Sequence, residues 1–453
     1  MIKIHLNKVN GFFKEGHERT LKAKKNIVAS LFLKGITVMI GLLLVPMTIH
    51  YVNPVQYGIW LTLGSIIAWF NFFDIGLANG LKNKIAEANA HGETENIKSF
   101  ISTTYAILTG ISVSIFLLFL ICNFFLDWSS ILNAKNIQGC NLNTIALIVF
   151  GAFCVQFVVQ IISSVLAAFH DMSKTSLIYA IGQFGSLIGI YILTKFTTGS
   201  LLYLVILLTV FPLLVQIVAS VWYFKTKYAQ YAPNYKTVHI AYAKSLLSIG
   251  GAFFFVQIGS LLLFQTDNIV VSQLLGPQEV TVFNISYKLF SIISMVFTII
   301  MNPFWPAFTD AYEKNDIAWI KSIFRQVYKY FFILTGVSFI MLLISPFIFK
   351  IWLGASVAIP FMLSFVMTLY VIGICWMTIH CYFINGIGKI RMQLYLYIVS
   401  TIINIPLAIV LGKYMGVIGV TISNLVILVM MGVVLYIQCN KILADKAKGI
   451  WNL

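Results

Sequence analysis

Apolar residues run along this chain in long blocks, each closed by a short polar stretch. A membrane span needs about 20 mostly apolar residues. Twelve blocks meet that length, at residues 27–50, 57–79, 100–126, 143–168, 176–195, 201–224, 246–274, 280–308, 328–352, 359–384, 392–412 and 417–439. Backbone polar groups in lipid must be satisfied within the segment, so these blocks predict helices; they are too long and too uniformly apolar for barrel strands. The expected fold class is an all-α integral membrane protein with about twelve transmembrane helices.

The stretches between blocks differ by side. On one side they are short: 52–56, 127–142, 196–200, 276–279, 353–358 and 413–416. On the other they are longer and basic, as at 80–99, 225–245 and 309–327. Of the 30 Lys and Arg, 24 lie in the basic loops and at the two ends, four lie in or near the opposite loops, and two lie inside spans. That is the positive-inside distribution, and it places both termini in the cytoplasm. It also accounts for the net charge of +16 without nucleic acid as a partner.

Composition agrees. The 453 residues are 60% hydrophobic and 10% charged, with a mean hydropathy of +0.92. Soluble domains carry about a quarter charged residues. Residues 1–25 hold seven Lys/Arg and read as a cytoplasmic basic segment on the anionic inner leaflet. The apolar run after them exceeds a signal-peptide core, so the first span is expected to be retained. Six cysteines fall mostly in or beside spans, with no C-x-x-C and no Cys/His spacing suited to zinc, so no metal site is expected.

The two halves resemble each other. A shift of 223 residues places Asn53-Pro54 on Gly276-Pro277, Glu87 on Asp310 and Ile97-Lys98-Ser99 on Ile320-Lys321-Ser322. Both copies enter from the same side, which makes a parallel repeat. The predicted organisation is a basic segment (1–25), an N-terminal six-helix bundle (26–224), a cytoplasmic linker (225–245), a C-terminal six-helix bundle (246–439) and a cytoplasmic tail (440–453).

Charges inside spans are costly and mark candidate functional sites. Four occur: Lys34, Asp74, Asp267 and Lys288. Asp267 and Lys288 flank the Gly276-Pro277 turn at similar spacing, about ten residues on either side, which puts both about 16 Å from it at 1.5 Å per residue. Lys34 and Asp74 flank the Asn53-Pro54 turn in the same way, about 30 Å down. Two readings stand side by side. Each Lys and Asp pairs with the other as an internal strut. Alternatively they face a hydrated path, where a Lys attracts an anionic substrate group and an Asp takes a coupling cation. Amides add candidate substrate contacts at Asn71, Asn79, Gln257 and Asn284, since they offer both donors and acceptors without fixed charge. Pro303 and Pro306 mark a candidate hinge or gate at the inner end of span eight. No catalytic residue is assigned: Walker, G-x-S-x-G and H-E-x-x-H motifs are absent, and His50, His170 and His380 read as isolated interfacial residues.

Several motifs resemble those of a known family. Tyr51-Val52-Asn53-Pro54-Val55-Gln56-Tyr57-Gly58-Ile59-Trp60, Phe73-Asp74-Ile75-Gly76-Leu77-Ala78-Asn79-Gly80-Leu81, and Thr266 through Pro277 followed by Tyr287-Lys288-Leu289 are similar to the signatures of Wzx-type flippases of O-antigen and capsule repeat units. That family belongs to the superfamily of multidrug (MATE) exporters and lipid II flippases. The resemblance implies a MATE-like arrangement of two bundles around a central cavity. It implies transfer of an undecaprenyl-diphosphate-linked oligosaccharide from the inner to the outer leaflet of the bacterial plasma membrane, by alternating access driven by an ion gradient (H⁺ or Na⁺), with no cofactor. Lys34 and Lys288 match the cationic residues that engage the diphosphate or acidic sugars; a polysaccharide polymerase and chain-length machinery are the implied partners. A cation-coupled drug or small-solute exporter of the same fold is the alternative within transport. A membrane glycan polymerase or acyltransferase is the enzyme alternative, set against the absence of a large outer loop.

Overall fold

The computed structural model describes residues 18–70, 77–134, 141–169, 171–243, 265–354 and 356–452, without the side chains at 18–28, 31, 79, 86, 90 and 306. The regular structure among the described residues is helical. In order, the helices are α1 (Glu18–Tyr51), α2 (Pro54–Ala68), α3 (Leu77–His91), α4 (Thr94–Asn123), α5 (Leu142–Val159), α6 (Ile161–Ala168), α7 (Met172–Phe196) and α8 (Leu201–Lys225), then α9 (265–275), α10 (Pro277–Met301), α11 (Phe304–Glu313), α12 (Ile317–Leu353), α13 (Phe361–Gly386) and α14 (Arg391–Leu443). Nine stretches of the described helices are long and apolar enough to cross a membrane. One of them, α14, runs for 53 residues and holds two predicted spans. It breaks at Gly416, whose φ of 63° and ψ of −146° are open to glycine but strained for an L side chain. Predicted spans two and seven fall partly on residues outside the described set.

Local chemistry starts the helices where the polar breaks stand. Asn53 accepts the Gln56 N–H at 2.8 Å, and Pro54 opens α2. Gly276 at φ 97° turns the chain into Pro277, which opens α10 in the same way. Asn141 caps α5 through the Thr144 N–H at 3.1 Å, and Asp316 caps α12 through the Trp319 N–H at 2.9 Å. Much of the apolar surface points outward. Leu118 and Ile121 on α4 and Phe124 and Phe125 just after it are exposed, and on α12 so are Phe332, Ile340, Leu343 and Phe347. Apolar patches of that extent are found where lipid is the solvent.

The chain packs into two compact units. The first comprises residues 1–52, 70–128 and 137–254. Its core gathers Leu81, Ile85, Ile97, Ile101, Phe157, Ile161 and Val165 with the phenol rings of Tyr223, Tyr228 and Tyr231. The described part of the predicted linker is bound to this unit. Ser102 meets the Thr237 hydroxyl at 2.9 Å, and Thr103 accepts the His239 N–H at 3.0 Å. Asp171 accepts from Lys174 at 2.9 Å, from Tyr228 at 2.8 Å, and from Lys227. Burial pushes the Asp171 carboxyl up, but these three donors outweigh it and hold the group well below the usual carboxylate range.

The second unit comprises residues 53–69, 129–136 and 255–453. Residues 53–69 were expected in the N-terminal bundle; by packing they join this unit instead. The reason is a close approach of α2 to the start of α10. A Cβ built on Gly58 would lie 1.7 Å from the Pro277 carbonyl oxygen, and Thr281 donates to the Pro54 carbonyl at 2.6 Å. Residues 129–136 follow for a similar reason: Asn133 donates to the Ser272 carbonyl at 3.0 Å, and Ser272 donates to that of Leu132 at 3.0 Å.

Candidate functional site

The second unit contains a polar seam within its apolar interior. It starts at adjacent residues of α9, Asp267 and Asn268, and extends in two directions. Asp267 is 3% exposed. A carboxylate only accepts, so the Asn424 amide turns its NH₂ toward it and donates to Oδ2 at 2.7 Å. That leaves the Asn424 oxygen for Asn404, whose Nδ2 donates to it at 2.9 Å. The Asn404 oxygen ends this branch, buried and without a hydrogen-bond partner. On the other branch Asn284 donates to Asn268 Oδ1 at 2.7 Å, and Asn268 donates to Ser65 on α2 at 2.6 Å. The Ser65 hydroxyl then donates to the Leu61 carbonyl at 3.1 Å. The seam therefore joins α2, α9, α10 and both halves of α14. Tyr287 and Tyr370, with ring centroids 6.1 Å apart, stand within electrostatic reach of Asp267.

The predicted strut between Asp267 and Lys288 is absent. The ion pairs among the described residues involve Asp171, Glu87 and Asp310, and neither Asp267 nor Lys288 takes part. Similar spacing from a turn fixes only depth. Rotation about the helix axes decides which groups meet, and α9 turns Asp267 toward α14. Lys288, on α10, is half-buried. Lys34 lies exposed on α1 in the first unit. Asn284 takes its place in the seam. Asn71, Asp74 and Gln257 lie outside the described residues, as do the side chains of Asn79 and Pro306.

Pro303 stands where α10 ends and α11 begins, exposed to solvent. This junction is tied to α13: Tyr382 donates to Asn302 at 2.7 Å, and Thr309 donates to the Gly386 carbonyl at 2.7 Å. His380 departs from its expected interfacial place. It is fully buried, with Nδ1 2.9 Å from the Trp376 carbonyl and Nε2 3.0 Å from the Tyr328 hydroxyl. Because a carbonyl only accepts, Nδ1 carries the hydrogen.

Sequence reading missed Asn424 and Ser65 as members of the site. Asn424 carries the signal that singled out Asn284, an amide in an apolar span, but was not picked out by it. Ser65 had none, because a serine in a membrane helix ordinarily bonds its own backbone.

Comparison with known proteins agrees with this architecture. A family model described as "Polysaccharide biosynthesis protein" matches residues 23–312, and one for MatE matches residues 252–410. A protein of Yersinia pseudotuberculosis named "Putative O-antigen export protein" is 25% identical over 357 residues, covering 74% of this chain and 76% of its own. Among solved structures, an inward-facing multidrug resistance MATE transporter aligns with a TM-score of 0.75 at 12% identity, over 93% of this chain and 98% of its own. The lipid II flippase MurJ aligns with a TM-score of 0.72 at 13% identity, over 91% and 87%. These likenesses show the fold. The first family model covers well over half of the chain, and the chain belongs to the polysaccharide biosynthesis protein family, as a Wzx-type transporter of the superfamily that includes the MATE exporters.

Proposed function

We propose that the chain flips an undecaprenyl-diphosphate-linked oligosaccharide repeat unit from the inner to the outer leaflet of the bacterial plasma membrane. Both termini lie in the cytoplasm, and transport proceeds by alternating access driven by an ion gradient. The observation that carries the reading is the polar seam with a cation near it. Asp267 is buried in a membrane unit and is held by an amide, while Lys288 lies in no described ion pair. A lysine left in this state attracts an anionic group such as a diphosphate. The amides of Asn268 and Asn284 suit sugar hydroxyls. Asp267, bonded to a neutral partner, remains free to take a coupling proton or Na⁺. The O-antigen export name of the Yersinia relative supports the substrate class. Lys34 serves as a further anion contact, and Asp74 as a further ion-coupling group.

The test is deletion of the protein in its host. Undecaprenyl-linked repeat units are expected to accumulate facing the cytoplasm while surface polysaccharide disappears. The match of residues 252–410 to the MatE model favours a drug exporter as second reading. Unchanged surface polysaccharide with raised drug sensitivity would establish that reading instead.

A further inference from the structure

The second unit holds a cavity of about 550 Å³ away from the polar seam. It lies at the end of the unit that the charge distribution assigns to the cytoplasm. The first turns of α12 supply Lys321, Phe324, Arg325 and Tyr328, α13 supplies His380, and the last turns of α14 close the third side with Tyr436 and Asn440. His380 is fixed as the buried floor by its bonds to the Trp376 carbonyl and the Tyr328 hydroxyl. The ring of Tyr436 stands edge-on to it at 5.6 Å.

Lys321 and Arg325 sit one helical turn apart on the same face of α12, where like charges repel. Neither enters an ion pair among the described residues, and no Asp or Glu lines the cavity. The cavity has the size of a small-molecule site and far exceeds a bare phosphate. Its depth is also defined. The exposed apolar face of α12 begins at Phe332, seven residues beyond Arg325, or about 10 Å along the axis. Two cations at the rim, aromatic walls below them, and lipid-facing surface one step away make an interfacial anion pocket.

We propose that this cavity binds the phosphate-bearing headgroup of an anionic membrane phospholipid. Lys321 and Arg325 take the phosphate, and Phe324, Tyr328 and Tyr436 pack against the glycerol region. The pocket is separate from the polar seam, and this inference does not depend on the transported substrate.

The experiment uses the full chain, purified and reconstituted with defined lipid. Co-purified phosphatidylglycerol is counted by native mass spectrometry, and thermal midpoints are measured with phosphatidylglycerol, phosphatidylcholine or inorganic phosphate added. Wild type is expected to retain phosphatidylglycerol and to gain thermal stability from it alone. K321Q/R325Q is expected to weaken retention by about tenfold or more, from the loss of two headgroup contacts. Leu443→Trp, which fills the cavity and leaves both cations in place, is expected to reduce retention as well. K225Q/K236Q removes the same charge from the first unit and is expected to leave retention unchanged. Wild-type retention in K321Q/R325Q or in Leu443→Trp overturns the assignment. So does an equal loss in K225Q/K236Q, or an equal thermal gain from inorganic phosphate.

Discussion

Asn424 donates its side-chain amide to Asp267 across 157 residues of sequence, at 2.7 Å and out of reach of water. A buried acceptor loses far more when its donor is deleted than when both are replaced. Asn424→Leu is therefore expected to destabilise the protein by about 1–3 kcal/mol, with Asn404 losing its partner at the same time. Asp267→Asn keeps a side chain of the same shape and is expected to fold nearly as well. Thermal melts in detergent check both. Surface polysaccharide in a deletion host separates them further: Asp267→Asn is expected to abolish it while the protein level holds, because the proposed coupling needs the carboxylate.

Lys288 gives the opposite pattern. It completes no ion pair, so Lys288→Gln leaves no buried carboxylate unpartnered and is expected to change stability by under about 0.5 kcal/mol. Transport is expected to fall severely. Asp267→Ala/Lys288→Ala is expected to remain as inactive as either single variant. Recovery of full activity in the double variant would mean that the two charges only neutralise each other.

Much of the architecture was legible because lipid leaves a helix few options. The break between predicted spans at 392–412 and 417–439 falls at Gly416, and spans five and six match α7 and α8 within a few residues. Hydropathy gave the apolar part of span nine but not the start of its helix: α12 begins at Ile317, about three turns ahead of residue 328, on a stretch that carries Lys321 and Arg325. An Asp316 cap sets that start, and hydropathy does not register a cap. The site was legible only in part, as single residues and not as a network. Asp267 and Asn284 were each conspicuous as polar residues in apolar runs. That Asp267 meets Asn424 and not Lys288 depends on how α9 is rotated against its neighbours. The placement of residues 53–69 has the same origin, since Gly58 allows a close contact that sequence order does not reveal.

That contact yields a paired prediction. A methyl group at Gly58 would overlap the Pro277 carbonyl, which is backbone and has nowhere to turn. Gly58→Ala is expected to push α2 off α10 and destabilise by about 1–3 kcal/mol, as overpacking does. Gly64, on the same helix, has nothing within 4 Å of its would-be Cβ. Gly64→Ala is expected to be neutral or to stabilise by up to about 1 kcal/mol, through a better helix propensity. Thermal midpoints of the two variants should move apart.

Asp171 makes a prediction about the linker and pH. Its carboxylate gathers Lys174, Lys227 and Tyr228, and Phe169 stacks on Tyr228 and Tyr231 beside it at 5.0 and 5.2 Å. This cluster fastens the start of the chain segment leaving α8. The folded carboxyl titrates below its unfolded value, so its contribution is fully present above the unfolded value, near pH 4, and fades as pH falls toward the folded one. Stability owed to Asp171 is thus flat across neutral pH and lost only in strong acid. Lys227 is 45% exposed, and solvent screens its share. Asp171→Asn is expected to cost about 1–2 kcal/mol at pH 7. It is also expected to speed limited proteolysis within residues 226–243, and the difference from wild type should shrink below about pH 4. Lys174→Gln/Lys227→Gln should reproduce the proteolysis, since removing the donors releases the same segment. Wild-type cleavage rates in both variants would show that the Ser102 and Thr103 contacts hold the segment without the ion cluster.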